Sequence, residues 1–137
     1  MAISGDERDG HFSFHKCYTK GGADLLRFFD FMLELCDWLA VNHPGRQFLF
    51  TMDNLNIHKP LMIIHLIYSR GHRVLFHALY WSCNGSIEYV FDTLQTRLQL
   101  DHICVDDEFA LVNKINNIIR SIPSFKQYFL HVGFPDN

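Results

Sequence analysis

Apolar and polar positions along the chain switch repeatedly between a two-residue and a helical period. Met1 to Ser4 is a short apolar start, and Gly5 to Gly10 is a polar turn with glycine at both ends. His11 to Tyr18 then alternates as a strand does, so the opening predicts a hairpin. Thr19-Lys20-Gly21-Gly22 breaks the pattern, and a helix is expected over Ala23–Asn42. There Leu25, Phe28, Phe29, Met32, Leu35, Cys36 and Leu39 form one apolar stripe opposite Asp24, Arg27, Asp30, Glu34 and Asp37. His43-Pro44-Gly45 ends it.

Gln47 to Asn54 is an apolar run that stops on the carboxylate of Asp53, and its pattern predicts a strand buried on both faces. A polar loop follows, with Pro60 suited to the first turn of the next helix. That helix, Leu61–Arg70, is mostly apolar and is expected to be sandwiched between layers, with Gly71 closing it. Arg73–Tyr80 is the next buried strand, and a right-handed crossover makes the two strands parallel. A helix over Ile87–Leu100 buries Ile87, Val90, Phe91, Leu94 and Leu98. Another over Asp106–Ile122 buries Phe109, Val112, Ile115, Ile119 and Ile122, with Asp106, Asp107 and Glu108 in its first turn, where the macrodipole favours anions. After Pro123, Ser124–Gly133 is a short helix or an extended tail.

Length and composition narrow this picture. The chain has 137 residues and 48% hydrophobic content, which suits one domain over 1–137 with a real core. A 15% aromatic share, with 13 Phe, implies a bulky core or aromatic surface that something else covers. The net charge of −3 carries no basic footprint for non-specific nucleic-acid binding, so any DNA contact has to be local. Cys17, Cys36, Cys83 and Cys104 form no Cys-x-x-Cys pair and read as buried free thiols. His11 and His15 share a strand face but lack a partner at zinc-finger spacing. No apolar run is long enough to span a bilayer, and no membrane partner is expected.

Asp53 stands at the carboxyl edge of a strand, where open α/β sheets place ligands. Asp-Asn after a strand also serves as a turn or a helix cap. A second acid, Glu88, opens the helix after the following strand, with thirty-four residues between the two. Asp53-Asn54-Leu55-Asn56-Ile57-His58-Lys59, with Tyr80 and Ile87-Glu88 at that distance, resembles the catalytic core of mariner-type transposases, in the DDE superfamily of endonucleases. The order of elements matches as well. Two features depart from the family pattern. The loop from Trp81 to Ser86 lacks both prolines that the family commonly has, and the family's first catalytic Asp lies in a strand that would precede this hairpin. Asp6 and Asp9, as turn residues, do not replace it.

The resemblance implies a ribonuclease-H-like mixed α/β sheet flanked by helices and lacking the family's first strand. It implies the chemistry of metal-dependent DNA cleavage and strand transfer, carried by a partial catalytic core expected to be inactive alone, with Asp53 and Glu88 as catalytic residues and as ligands to Mg²⁺ or Mn²⁺. Asp92, one turn beyond Glu88, is a reserve ligand, and Asn54, His58 and Lys59 are residues for DNA contact or for orienting the site. Lys59 would meet a phosphate as a point charge. Trp81 is a stacking surface for a base or a core residue. The partners implied are DNA at transposon ends and, as an assembly, a homodimer; the compartment is nuclear in a eukaryote and cytoplasmic otherwise. The alternative expectation is a decayed or domesticated transposable-element fragment that keeps the fold as an interaction module without catalysis.

Overall fold

The computed structural model describes residues 1–5, 12–18, 21–22, 24–77, 85–100 and 108–132. Its class is mixed α/β. The chain divides into two compact units, one formed by Met1–Thr19 with Cys83–Asn137, the other by Lys20–Ser82. Among the described residues the strands form two separate two-stranded sheets, one in each unit, where the sequence suggested a single mixed sheet.

The Lys20–Ser82 unit holds α1 (Leu25–Asn42), β3 (Leu49–Met52), α2 (Leu61–Ser69) and β4 (Arg73–Phe76); β1 and β2 lie in the other unit. Asp24 caps α1, its carboxylate accepting from the Arg27 N–H at 2.8 Å. The α1 core line is Phe31, Met32, Leu35, Cys36 and Leu39, while Leu25, Phe28 and Phe29 are only half-buried. From α2 come Ile63, Leu66 and Ile67. Leu35, Leu39, Ile63 and Ile67 are at most 1% exposed. Each such side chain contributes roughly 1.5–3 kcal/mol through burial.

Strands β3 and β4 pair in parallel, Leu49 with Arg73 through Met52 with Phe76. Parallel pairing matches the expectation from the crossover, but burial on both faces does not hold. In this register Leu49, Thr51, Arg73 and Leu75 share one face, on which Leu49 is 57% and Leu75 54% exposed. Phe50, Met52, Val74 and Phe76 form the other, half-buried face. Nor is α2 sandwiched: Leu61, Met62 and Tyr68 are exposed, so the helix buries one side only. Both expectations assumed a covering layer that the apolar pattern alone cannot supply.

α2 ends in a Schellman arrangement. The Gly71 N–H donates to the Tyr68 carbonyl at 3.0 Å and the His72 N–H to the Ile67 carbonyl at 3.0 Å, with Gly71 at φ +80°. The start of β3 is tied to this corner, because the Arg73 N–H donates to the Phe48 carbonyl and the Gln47 side chain donates to the Gly71 carbonyl.

The other unit holds β1 (Ala2–Ile3), β2 (Ser13–Phe14), α3 (Ser86–Leu100), α4 (Glu108–Arg120) and α5 (Lys126–His131). β1 and β2 are antiparallel, as the hairpin reading requires. Val90, Leu94, Ile118, Ile119, Ile122 and Phe125 make the core, and Met1, Ile3 and Phe129 pack against it. Phe91 and Phe109 do not join it; they are 48% and 71% exposed. Phe91 lies a full helical step around from Val90, off the Val90–Leu94 line, and Phe109 sits in the first turn of α4, whose buried residues cluster at its other end. Gly5 approaches the ring of Phe129 so closely that a Cβ would overlap it. Of the four cysteines, Cys36 is buried as expected, but Cys17 is exposed; Cys83 and Cys104 lie outside the described residues.

Candidate functional site

Asp53 directly follows the last residue of β3, at the carboxyl edge of the parallel pair. It is not spent on capping. The cap position of α2 is Pro60, which makes no side-chain hydrogen bond to the helix. That removes the helix-cap reading for Asp53 and for Asn54 alike.

His58 meets the Asp53 carboxylate instead, with Nδ1 2.5 Å from Oδ1. This contact is a charged pair when the imidazole is protonated and a hydrogen bond from Nδ1–H when it is neutral. The loop brings the two together through a turn in which the His58 N–H donates to the Leu55 carbonyl at 3.0 Å. The imidazole also rests against α1, where the Phe28 ring lies 4.4 Å from it between centroids, tilted by 38°. The His58 side chain is 17% exposed and that of Asp53 53% exposed. Among the described residues, the second Asp53 oxygen, Oδ2, has no protein partner.

Asn54 turns the other way and donates its side-chain amide to the His77 carbonyl. The His77 N–H in turn donates to the Met52 carbonyl at 2.8 Å. Asn54 therefore ties the ends of β3 and β4 together beside Asp53. Lys59 is exposed on the same loop.

Glu88 belongs to the other unit. It lies in the first turn of α3, its side chain exposed and its N–H donating to the Gly85 carbonyl at 2.9 Å. Asp92 is exposed one turn later on the same helix face, so these two acids sit as i, i+4 neighbours. Each acid is thus placed within its own unit: Asp53 with His58 in one, Glu88 with Asp92 in the other. Among the described residues no three His, Cys, Asp or Glu side chains gather closely enough to hold a metal ion. Trp81 and the rest of the loop before Gly85 lie outside the described residues.

Two partners escaped the sequence reading. Phe28 belongs to an apolar stripe and carries no mark that singles it out as a rest for an imidazole. His77 contributes its backbone, which no residue pattern reports. Comparison with protein-family models, with curated proteins and with solved structures finds no match.

Proposed function

We propose that the chain is a ribonuclease-H-like, mariner-type DDE endonuclease core for DNA cleavage and strand transfer at transposon ends, with two of the three expected acids identified in it. The observation that carries the reading is the state of Asp53. This carboxylate follows a parallel strand, caps nothing, and keeps one oxygen unpartnered among the described residues. Hard carboxylate oxygens suit Mg²⁺ or Mn²⁺. Mg²⁺ binds through one or two carboxylates together with waters and substrate phosphates, so few protein ligands are required, and the resemblance gives that role to Asp53 and to Glu88. When bound, such ions activate the attacking oxygen and stabilise the leaving one.

The chain's own residues then divide the work. Asp53 and Glu88 offset the cationic charge, and Asp92 stands one turn away as a reserve. Lys59 meets a backbone phosphate, and Asn54 holds the strand ends that carry Asp53. The test is Mn²⁺ titration of the full chain alongside D53A and E88Q, followed by nicking of supercoiled DNA. Weaker Mn²⁺ binding in both variants supports the reading, and metal-dependent nicking lost in E88Q supports activity.

A second reading, an interaction module without catalysis, is favoured by the sequence of the loop from Trp81 to Ser86, which lacks both prolines that the resembled family commonly has. Under it, D53A and the unaltered chain bind Mn²⁺ equally and neither nicks DNA. A DNA-directed role of either kind would place the protein in the nucleus of a eukaryotic cell and in the cytoplasm otherwise.

A further inference from the structure

Resting on the cation-binding reading of Asp53, we propose that His58, braced by Phe28, is a positioning residue that fixes the Asp53 carboxylate with Oδ1 held and Oδ2 presented to a divalent cation. An aspartate at a strand end has two rotatable side-chain bonds. Left to itself in solvent, it would spread over several rotamers, and a cation would have to order it on binding. Here one oxygen is fixed at 2.5 Å by the Nδ1 of an imidazole that is itself largely shielded from water. The imidazole has little freedom of its own, with Phe28 against its ring at 4.4 Å and its backbone N–H bonded to the Leu55 carbonyl.

Three parts of the chain therefore converge on one carboxylate: a rigid helix supplies the brace, the turn supplies the imidazole, and the strand supplies the acid. Hydrogen bonds to ligating carboxylates act in this way, and losing such a partner typically weakens metal affinity by about 10–100-fold. Asn54 is engaged with the His77 carbonyl, so the neighbouring amide does not take over the task.

The arrangement makes a distinction that a merely structural histidine would not. Asparagine carries its amide nitrogen where histidine carries Nδ1, whereas glutamine reaches further, toward the place of Nε2. The test is Mn²⁺ binding by the full chain, read by electron paramagnetic resonance, in H58A, H58N, H58Q, F28A and D53A. The expected result is a loss of about tenfold in H58A and H58Q, a smaller loss in F28A, and near-complete rescue in H58N. A readout without metal accompanies it: in ring ¹⁵N spectra His58 carries its proton on Nδ1, and that signal shifts in D53A. H58A binding Mn²⁺ as the unaltered chain does, while D53A binds more weakly, would overturn the positioning role and leave the cation site standing. D53A binding as the unaltered chain does would overturn both. If H58A fails to fold, judged by circular dichroism, the contrast between H58N and H58Q decides.

Discussion

The side-chain amide of Asn54 donates to the backbone carbonyl of His77, one residue past the end of β4. Since the His77 N–H also donates to Met52, both polar groups of that residue's backbone are held by the β3 end. Asn54→Ala leaves the carbonyl without this partner and is expected to destabilise the unit by about 1–2 kcal/mol. Asn54→Asp should be worse, because it sets a carboxylate against a carbonyl oxygen. Amide hydrogen exchange checks this locally: protection at His77 should fall in both variants while protection in α3 and α4 stays unchanged.

Two glycines should respond to alanine for different reasons. Gly71 has φ +80° but open space where a Cβ would go, so Gly71→Ala carries only the left-handed backbone penalty, roughly 1–2 kcal/mol. Gly5 lacks that backbone constraint, yet its Cβ would overlap the Phe129 ring, and the strain of overpacking is about 1–3 kcal/mol. Thermal unfolding should show both losses. Shortening the obstacle with Phe129→Leu should recover part of the Gly5→Ala loss and none of the Gly71→Ala loss.

His72 makes the stability of its unit depend on pH. It is 6% exposed, it has the rings of Phe48 and Phe50 edge-on at 5.7 and 5.6 Å, and its Nδ1 accepts a long 3.4 Å hydrogen bond from the Phe48 N–H. Burial pushes its pKa below the ordinary 6.5, so folding favours the neutral imidazole. On unfolding, the ring regains its ordinary value and takes up a proton that the folded form refuses. The contribution to stability is therefore complete above pH 6.5 and is lost as the pH falls below it toward the lowered folded value. Urea unfolding at pH 7.5 and 5.5 should show a drop that is smaller in His72→Phe. An equal drop in the two proteins would place the pH dependence in other groups.

Much of the scaffold is legible in the sequence wherever a local signal has a single cause. Pro44-Gly45 ends α1 and Gly71 stops α2, because chain breaks and left-handed backbone depend on a few adjacent residues, whereas Asp24, read as part of the polar helix face, is the cap. What a residue packs against is not local. Leu49, Leu61, Leu75, Phe91 and Phe109 all have the apolar character of core residues, yet each is exposed. Apolar character fixes a preference for burial without supplying the layer that would bury it. The candidate site divides along the same line. Asp53 at a strand end can be read from the run that precedes it. Its engagement by His58 depends on a turn and on Phe28, a helix and a strand away in the chain, so no spacing rule reaches it.

The cysteines offer a direct check of the α1 inner face. Cys36 is 1% exposed, and burial pushes its thiol up to about 11 from 9.0, outweighing the Arg70 charge that draws it down. At pH 8 the thiolate, the reactive form, is then roughly one part in a thousand of that site. Cys17 is exposed on the other unit. Iodoacetamide at pH 8 followed by peptide mapping should modify Cys17 within minutes and leave Cys36 untouched until urea is added. The same burial gives an alkaline dependence. The folded thiol holds its proton while an unfolded one releases it above about 9, so this part of the stability is intact below pH 9 and is lost as the pH climbs toward 11. Cys36→Ala should abolish that alkaline loss while lowering stability at neutral pH by about 1 kcal/mol for the cavity it leaves. If Cys36 is alkylated in the native chain as fast as Cys17, then α1 does not bury this face, and the Phe28 brace on the same helix loses its support.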